Sequence, residues 1–166
     1  MHIVHTKQGL AEGESPLEVD AGLAVTGFFF QVTVSLIVNL IVNKKCFINE
    51  DEDNAALTPL IDSLKDIKES KSEVAVVDNA FKNSDLIKVV APVDGSATTT
   101  YATYPGSLTT PPCDEVVHWI VFLTPLKISQ AQLDAFRMLR DSHDERIVDN
   151  FRPVQPLNGR TVQIFG

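Results

Sequence analysis

The sequence predicts a β-dominated α+β domain: a large, mostly antiparallel twisted sheet with a few peripheral helices. Two observations carry this. Runs rich in β-branched and aromatic residues, several with a period of two, recur along the chain, whereas helical spacing is confined to two short stretches. With 166 residues, 44% of them hydrophobic and 22% charged, the chain is long enough for one domain with a buried core, and residues 1–166 are read as that single domain. The formal net charge of -8 and a pI near 4.9 exclude a nucleic-acid backbone as partner, because phosphate binding requires clustered Lys and Arg.

Taken in order, Met1 to Lys7 has the alternation of a strand, with His2 and Val4 on one face and Ile3 and His5 on the other. A polar loop from Gly9 to Asp20 precedes Gly22 to Val32, whose lack of charge and content of Val, Thr and Phe suit a central strand. Residues 33–48 form an atypical apolar insertion containing Leu36-Ile37-Val38-Asn39 repeated as Leu40-Ile41-Val42-Asn43. Polar interruptions at Gln31, Thr33, Ser35 and Asn39 leave it short of a membrane span of about 20 apolar residues, so it reads as an extra strand or a strand extension. The acidic run Glu50 to Asp53 reads as a solvated helix entrance, since no Gly supplies the sharp turn of a calcium loop.

Leu57, Leu60, Ile61, Leu64 and Ile67 recur at helical spacing, and Thr58-Pro59 is a suitable start, predicting a helix over 58–68. Val74 to Val77 and Leu86 to Val90 read as short β-rich pieces. Tyr104-Pro105-Gly106-Ser107-Leu108-Thr109-Thr110-Pro111-Pro112-Cys113 reads as a Pro/Gly turn followed by a rigid polar loop. The apolar run after it holds the only Trp, and alternation puts Val117 and Trp119 on one face with His118 opposite. Ser129 and Gln132 make a capping box for a second helix through Arg140.

The stretch from Tyr104 to Val121, with Val148-Asp149-Asn150-Phe151-Arg152-Pro153-Val154-Gln155-Pro156-Leu157 further on, closely resembles the alpha-class carbonic anhydrases, and Met1 to His5 resembles the end of their later zinc-ligand strand. The resemblance implies zinc-dependent reversible hydration of carbon dioxide to bicarbonate and a proton. Three imidazoles hold the metal in that family, and the metal brings bound water to a pKa of about 7. By position His2 matches the third zinc ligand, and Val4, Val25, Leu108, Val117 and Trp119 match the apolar substrate pocket. Thr109 matches the hydroxyl that orients zinc-bound hydroxide, and Thr110 a residue lining the same cavity. Asn150 and Arg152 match residues read as scaffold, and the family suggests a cis peptide at Pro111-Pro112. His118 and His143 lack metal-spaced companions.

The resemblance covers only the C-terminal portion of the family domain, so the expectation is an N-terminally incomplete chain. The His-x-His strand with two zinc ligands, the buried Glu that partners the gatekeeper Thr and the proton-shuttle His have no counterparts in it. The chain by itself is therefore expected to be inactive, as an incomplete product or gene model of an active enzyme. Residues 33–48 are expected to be either a loop insertion or an unspliced stretch. A non-catalytic carbonic anhydrase-related binding module is the alternative. Cys113 matches a disulfide position of exported members, favouring the secretory pathway or extracellular space over the cytoplasm; no export signal opens the chain, and Cys46 is not assigned as a partner.

Overall fold

In a computed structural model of the chain, residues 1–32, 52–64, 83–90 and 99–166 are described. The expectations for 33–48, for Val74 to Val77 and for Cys46 lie outside them. The elements are strands β1 (His2–Thr6) and β2 (Leu23–Val32), a 3-10 turn (Ala55–Leu57), helices α1 (Thr58–Leu64) and α2 (Asn83–Val90), strands β3 (Tyr101–Gly106) and β4 (Val117–Ile128), helix α3 (Gln130–Arg137) and strand β5 (Gln163–Phe165). No helix among the described residues is long and apolar enough to cross a membrane.

The strands form one mostly antiparallel sheet in the order β1-β2-β4-β3-β5. The β-dominated α+β expectation holds, and both of the first two predicted strands form. The residues divide into two compact units, Met1–Phe29 with Asn83–Leu126 and Asp149–Gly166, and Phe30–Lys82 with Lys127–Val148.

In the first unit register decides which side chains share a face. Val4 pairs with Val25 across β1 and β2, and Tyr104 with Trp119 across β3 and β4. One face of the sheet carries a cluster of Leu23, Val25, Val117 and Trp119, against which Tyr104, Leu108, Val116 and Val121 pack. Aromatic rings collect elsewhere in the unit: Phe28 stacks on Phe122 at 5.1 Å and Tyr101 on Phe165 at 5.3 Å. Gly106 is required where it stands, since a Cβ there would lie 2.8 Å from Cδ1 of Trp119.

Three elements depart from the sequence reading. Tyr104-Pro105-Gly106 is the end of β3, paired with β4, and not a turn. A proline is tolerated because β5 pairs only with Tyr101 to Thr103, so no strand on that side needs an N–H from Pro105, and its carbonyl accepts from Arg160 Nη1 at 3.3 Å. The piece from Leu86 to Val90 belongs to helix α2. An apolar run this short fits either period, and Asp85 paired with Lys88 one turn on, together with complete burial of Leu86, goes with the helix. Helix α3 stops at Arg137, because Arg140 bridges to Arg146 and Ile147 N donates to the Leu139 carbonyl at 3.1 Å.

The second unit is tied together by the predicted capping box. Ser129 accepts from Gln132 N, and the Gln132 side chain also accepts from Asn54 N at 2.8 Å and donates to the Asn54 carbonyl at 3.0 Å. Asn54 caps the 3-10 turn, one turn before the predicted helix start at Thr58. Asp53, expected in a solvated helix entrance, accepts from the hydroxyl of buried Ser129. Helix α1 packs on α3.

Candidate metal-site half and apolar wall

The first unit carries a cavity of about 460 Å³ whose lining includes His2, Ser107, Thr109, Trp119, Arg152 and Arg160. Local rules bring these side chains to it. His2 comes from β1 by strand alternation, and Trp119 from β4 by the same rule. Thr109 sits in the loop after β3, which is fixed by its own backbone: Leu108 N donates to the Asp114 carbonyl at 3.0 Å and Cys113 N to the Thr110 carbonyl at 2.9 Å, across a cis Pro111-Pro112 bond. Trp119 Nε1 donates to the Ser107 carbonyl at 3.1 Å, joining loop and sheet. Arg152 Nη1 donates to Ser107 Oγ at 2.7 Å and to the Leu108 carbonyl at 3.3 Å, the scaffold duty expected of it, while its side chain also lines the cavity.

Among the apolar residues singled out in sequence, Val25, Val117 and Trp119 lie in one buried cluster with Leu108 against it. Val4 occupies the same face but is 54% exposed, because β1 is an edge strand with no neighbour beyond it in the sheet. Thr109 lines the cavity; Thr110 does not. Thr110 is exposed, and its carbonyl is spent closing the turn to Cys113. Cys113 is a free thiol among the described residues.

The His2 ring meets Trp119 at 4.8 Å between centroids and 74° between planes, an edge contact. His2 is exposed by surface area, yet this contact covers part of its ring. Burial lowers its pKa below the ordinary 6.5, and the nearby ammonium of Met1 lowers it further, so the ring is neutral at neutral pH. The remaining histidines are elsewhere. His5 faces the other side of β1 and meets Thr26 Oγ1 at 3.2 Å, His118 meets Thr103 Oγ1 at 2.7 Å, and His143 is exposed in a loop. Zinc takes about four donors, three of them protein groups in open sites. No group of three His, Cys, Asp or Glu able to hold a metal occurs among the described residues, so His2 alone does not fit a zinc ion.

The sequence reading missed Ser107 and Arg160 as cavity residues. Arg160 follows a tight turn at Asn158 and Gly159, both at positive φ, and nothing in a single Arg after such a turn marks a cavity.

One imidazole, one loop hydroxyl and the Trp119 ring thus meet on one cavity of a β-dominated α+β fold, whereas Val4, Val25, Leu108 and Val117 are not among its lining residues. A family model described as eukaryotic-type carbonic anhydrase matches residues 1–165, and the chain belongs to this family. It is 39% identical over 168 residues to carbonic anhydrase 5A, mitochondrial, of Rattus norvegicus, covering 98% of this chain and 46% of that protein. It is 34% identical over 163 residues to putative carbonic anhydrase 5 of Caenorhabditis elegans, covering 98% of this chain and 44% of that protein. A shorter match to carbonic anhydrase 7 of Mus musculus reaches 58% identity over 67 residues, 38% of this chain and 25% of that protein. The chain thus spans under half the length of the relatives it matches along nearly its whole extent.

Proposed function

We propose that the protein serves the reversible hydration of carbon dioxide to bicarbonate and a proton, with zinc as the metal of the complete domain. The observation that carries this reading is the meeting of His2 and Thr109 on one cavity beside Trp119. When bound, zinc supplies Lewis acidity and a water that ionises near neutral pH. The chain's own contribution is limited and specific. Neutral His2 offers one donor. The Thr109 hydroxyl, with one proton and two lone pairs, fixes the direction of a neighbouring oxygen. Trp119 gives the cavity an apolar side that suits an uncharged substrate, and it is held by the buried cluster of Val25 and Val117 with Leu108 packed against it.

One imidazole does not retain zinc, so the chain by itself is inactive, and activity requires two further imidazoles beside His2. The test is zinc content and carbon dioxide hydration, measured on this chain and on a protein carrying a His-x-His strand ahead of Met1. Expected are no zinc and no acceleration for the chain, and one zinc per molecule with inhibitor-sensitive hydration for the extended protein. In the extended protein Thr109→Val lowers the rate about a hundredfold. Hydration by the chain alone sinks the claim of inactivity; an extended protein without zinc or hydration sinks the enzyme reading in favour of a binding module. From the position of Cys113 we further propose export, and retention of the tagged protein inside the cell contradicts it.

A further inference from the structure

We propose that Met138 is an oxidation site for hydrogen peroxide and that Arg146 holds the sulfoxide formed there, so that oxidation tightens the hairpin after α3. Met138 is the C-cap of that helix and is 59% exposed, whereas Met1, the other methionine, is half-buried. Arg146 Nη2 lies 3.8 Å from Met138 Sδ, and Arg146 forms no ion pair with a carboxylate among the described residues. Its charge is thus aimed at a thioether sulfur, a weak acceptor. Backbone bonds bring the two side chains together. Arg140 bridges to Arg146, Ile147 N donates to the Leu139 carbonyl at 3.1 Å and Asp141 N to the Glu145 carbonyl at 2.8 Å, so residues 139–147 form a hairpin that returns Arg146 to the helix end.

In the reaction the sulfur attacks one peroxide oxygen, and the O–O bond breaks as the S–O bond forms. Sulfur is oxidised by two electrons, the peroxide is reduced, and the departing hydroxide takes the proton left on the transferred oxygen and becomes water. The sulfoxide is polar where the thioether was apolar. Its oxygen, formed where Arg146 already points, accepts a charge-assisted hydrogen bond. That bond runs from the helix end to the returning arm of the hairpin and opposes its opening. The usual damage of methionine oxidation, loss of a buried apolar contact, is small here because the side chain already stands in water. Both residues belong to the second unit and neither lines the cavity, so the inference does not rest on hydration.

The experiment treats the full chain with hydrogen peroxide, locates the sulfoxide by peptide mass spectrometry, and follows hydrogen exchange of the Asp141 and Ile147 amides before and after treatment. Expected are sulfoxide at Met138 before Met1, and exchange of both amides slowed about tenfold, the effect of one charge-assisted bond on local opening. A methionine sulfoxide reductase should restore both the thioether and the original exchange. In Arg146→Ala, Met138 should still oxidise without slowing exchange, and in Met138→Leu peroxide should leave exchange unchanged. Oxidation of Met1 first overturns the proposal. So does exchange that is unchanged or faster in the oxidised wild-type chain, or that slows equally in either folded variant. The wild-type comparison decides the matter even where a variant fails to fold.

Discussion

Val4 and Val25 stand directly opposite each other on neighbouring strands and on one face of the sheet, yet Val25 is 1% exposed and Val4 54%. The same residue type in the same register meets two environments. Val25 sits on an inner strand, within the cluster that holds Trp119 and Val117, whereas Val4 sits on the edge strand, where the wall stops. His2 shares the edge position and keeps an exposed side chain with one face of contacts. On this face of the sheet, then, the inner strands are covered and the edge that carries His2 is open. Burial here follows strand position, and residue type does not decide it.

The largest test of this contrast strikes the finished side. Trp119 is 6% exposed, joins loop to sheet through its Nε1, and touches His2 and Tyr104. Trp119→Ala is expected to cost about 3–5 kcal/mol of unfolding free energy, read as a lowered urea midpoint. A loss under about 1 kcal/mol shows that the cluster is not packed as described.

A matched pair of smaller changes sharpens it. Val25→Ala removes buried methyl groups and is expected to cost about 2 kcal/mol. Val4→Ala, on the same face, is expected to cost no more than about 0.5 kcal/mol in the chain alone. The comparison breaks if the two losses are equal, because Val4 is then covered in solution. In a domain where a further strand continues the sheet past β1, the cost of Val4→Ala should rise toward that of Val25→Ala.

Much of the fold was legible in sequence for physical reasons that can be assigned residue by residue. Period-two alternation placed His2 with Val4 and Val117 with Trp119 on common faces, since a strand leaves no other choice. Ser129 and Gln132 announced their capping box because the bonds span only three residues. Long-range effects were hidden. The run from Leu86 to Val90 has too few residues to separate helix from strand, and Pro105 looked like a turn because its tolerance depends on where β5 ends, some 60 residues later. At the cavity, motif resemblance singles out Thr109 and Trp119, which line it, and also Thr110, Val4, Val25, Leu108 and Val117, which are not among its lining residues. Arg160 was invisible, its role arising only where its turn folds back on Pro105.

The subtlest test concerns the proton on His2. Partial cover by Trp119 disfavours the imidazolium, and the Met1 ammonium adds to the effect, so the folded pKa lies below 6.5. As pH falls through 6.5 the unfolded chain takes up this proton before the folded one does, and stability decreases until the folded midpoint is passed; above 6.5 the contribution is complete. Because the side chain is otherwise exposed, solvent screening keeps this contribution small. The ring resonances of His2, followed by NMR against pH, should give a midpoint below 6.5. In Trp119→Ala, provided the fold survives, the midpoint should move back up as water reaches the uncovered ring. A His2 that titrates at or above 6.5 in the wild-type chain means that the edge contact is not made, and with it the closed side of the comparison loses its aromatic link to the open edge.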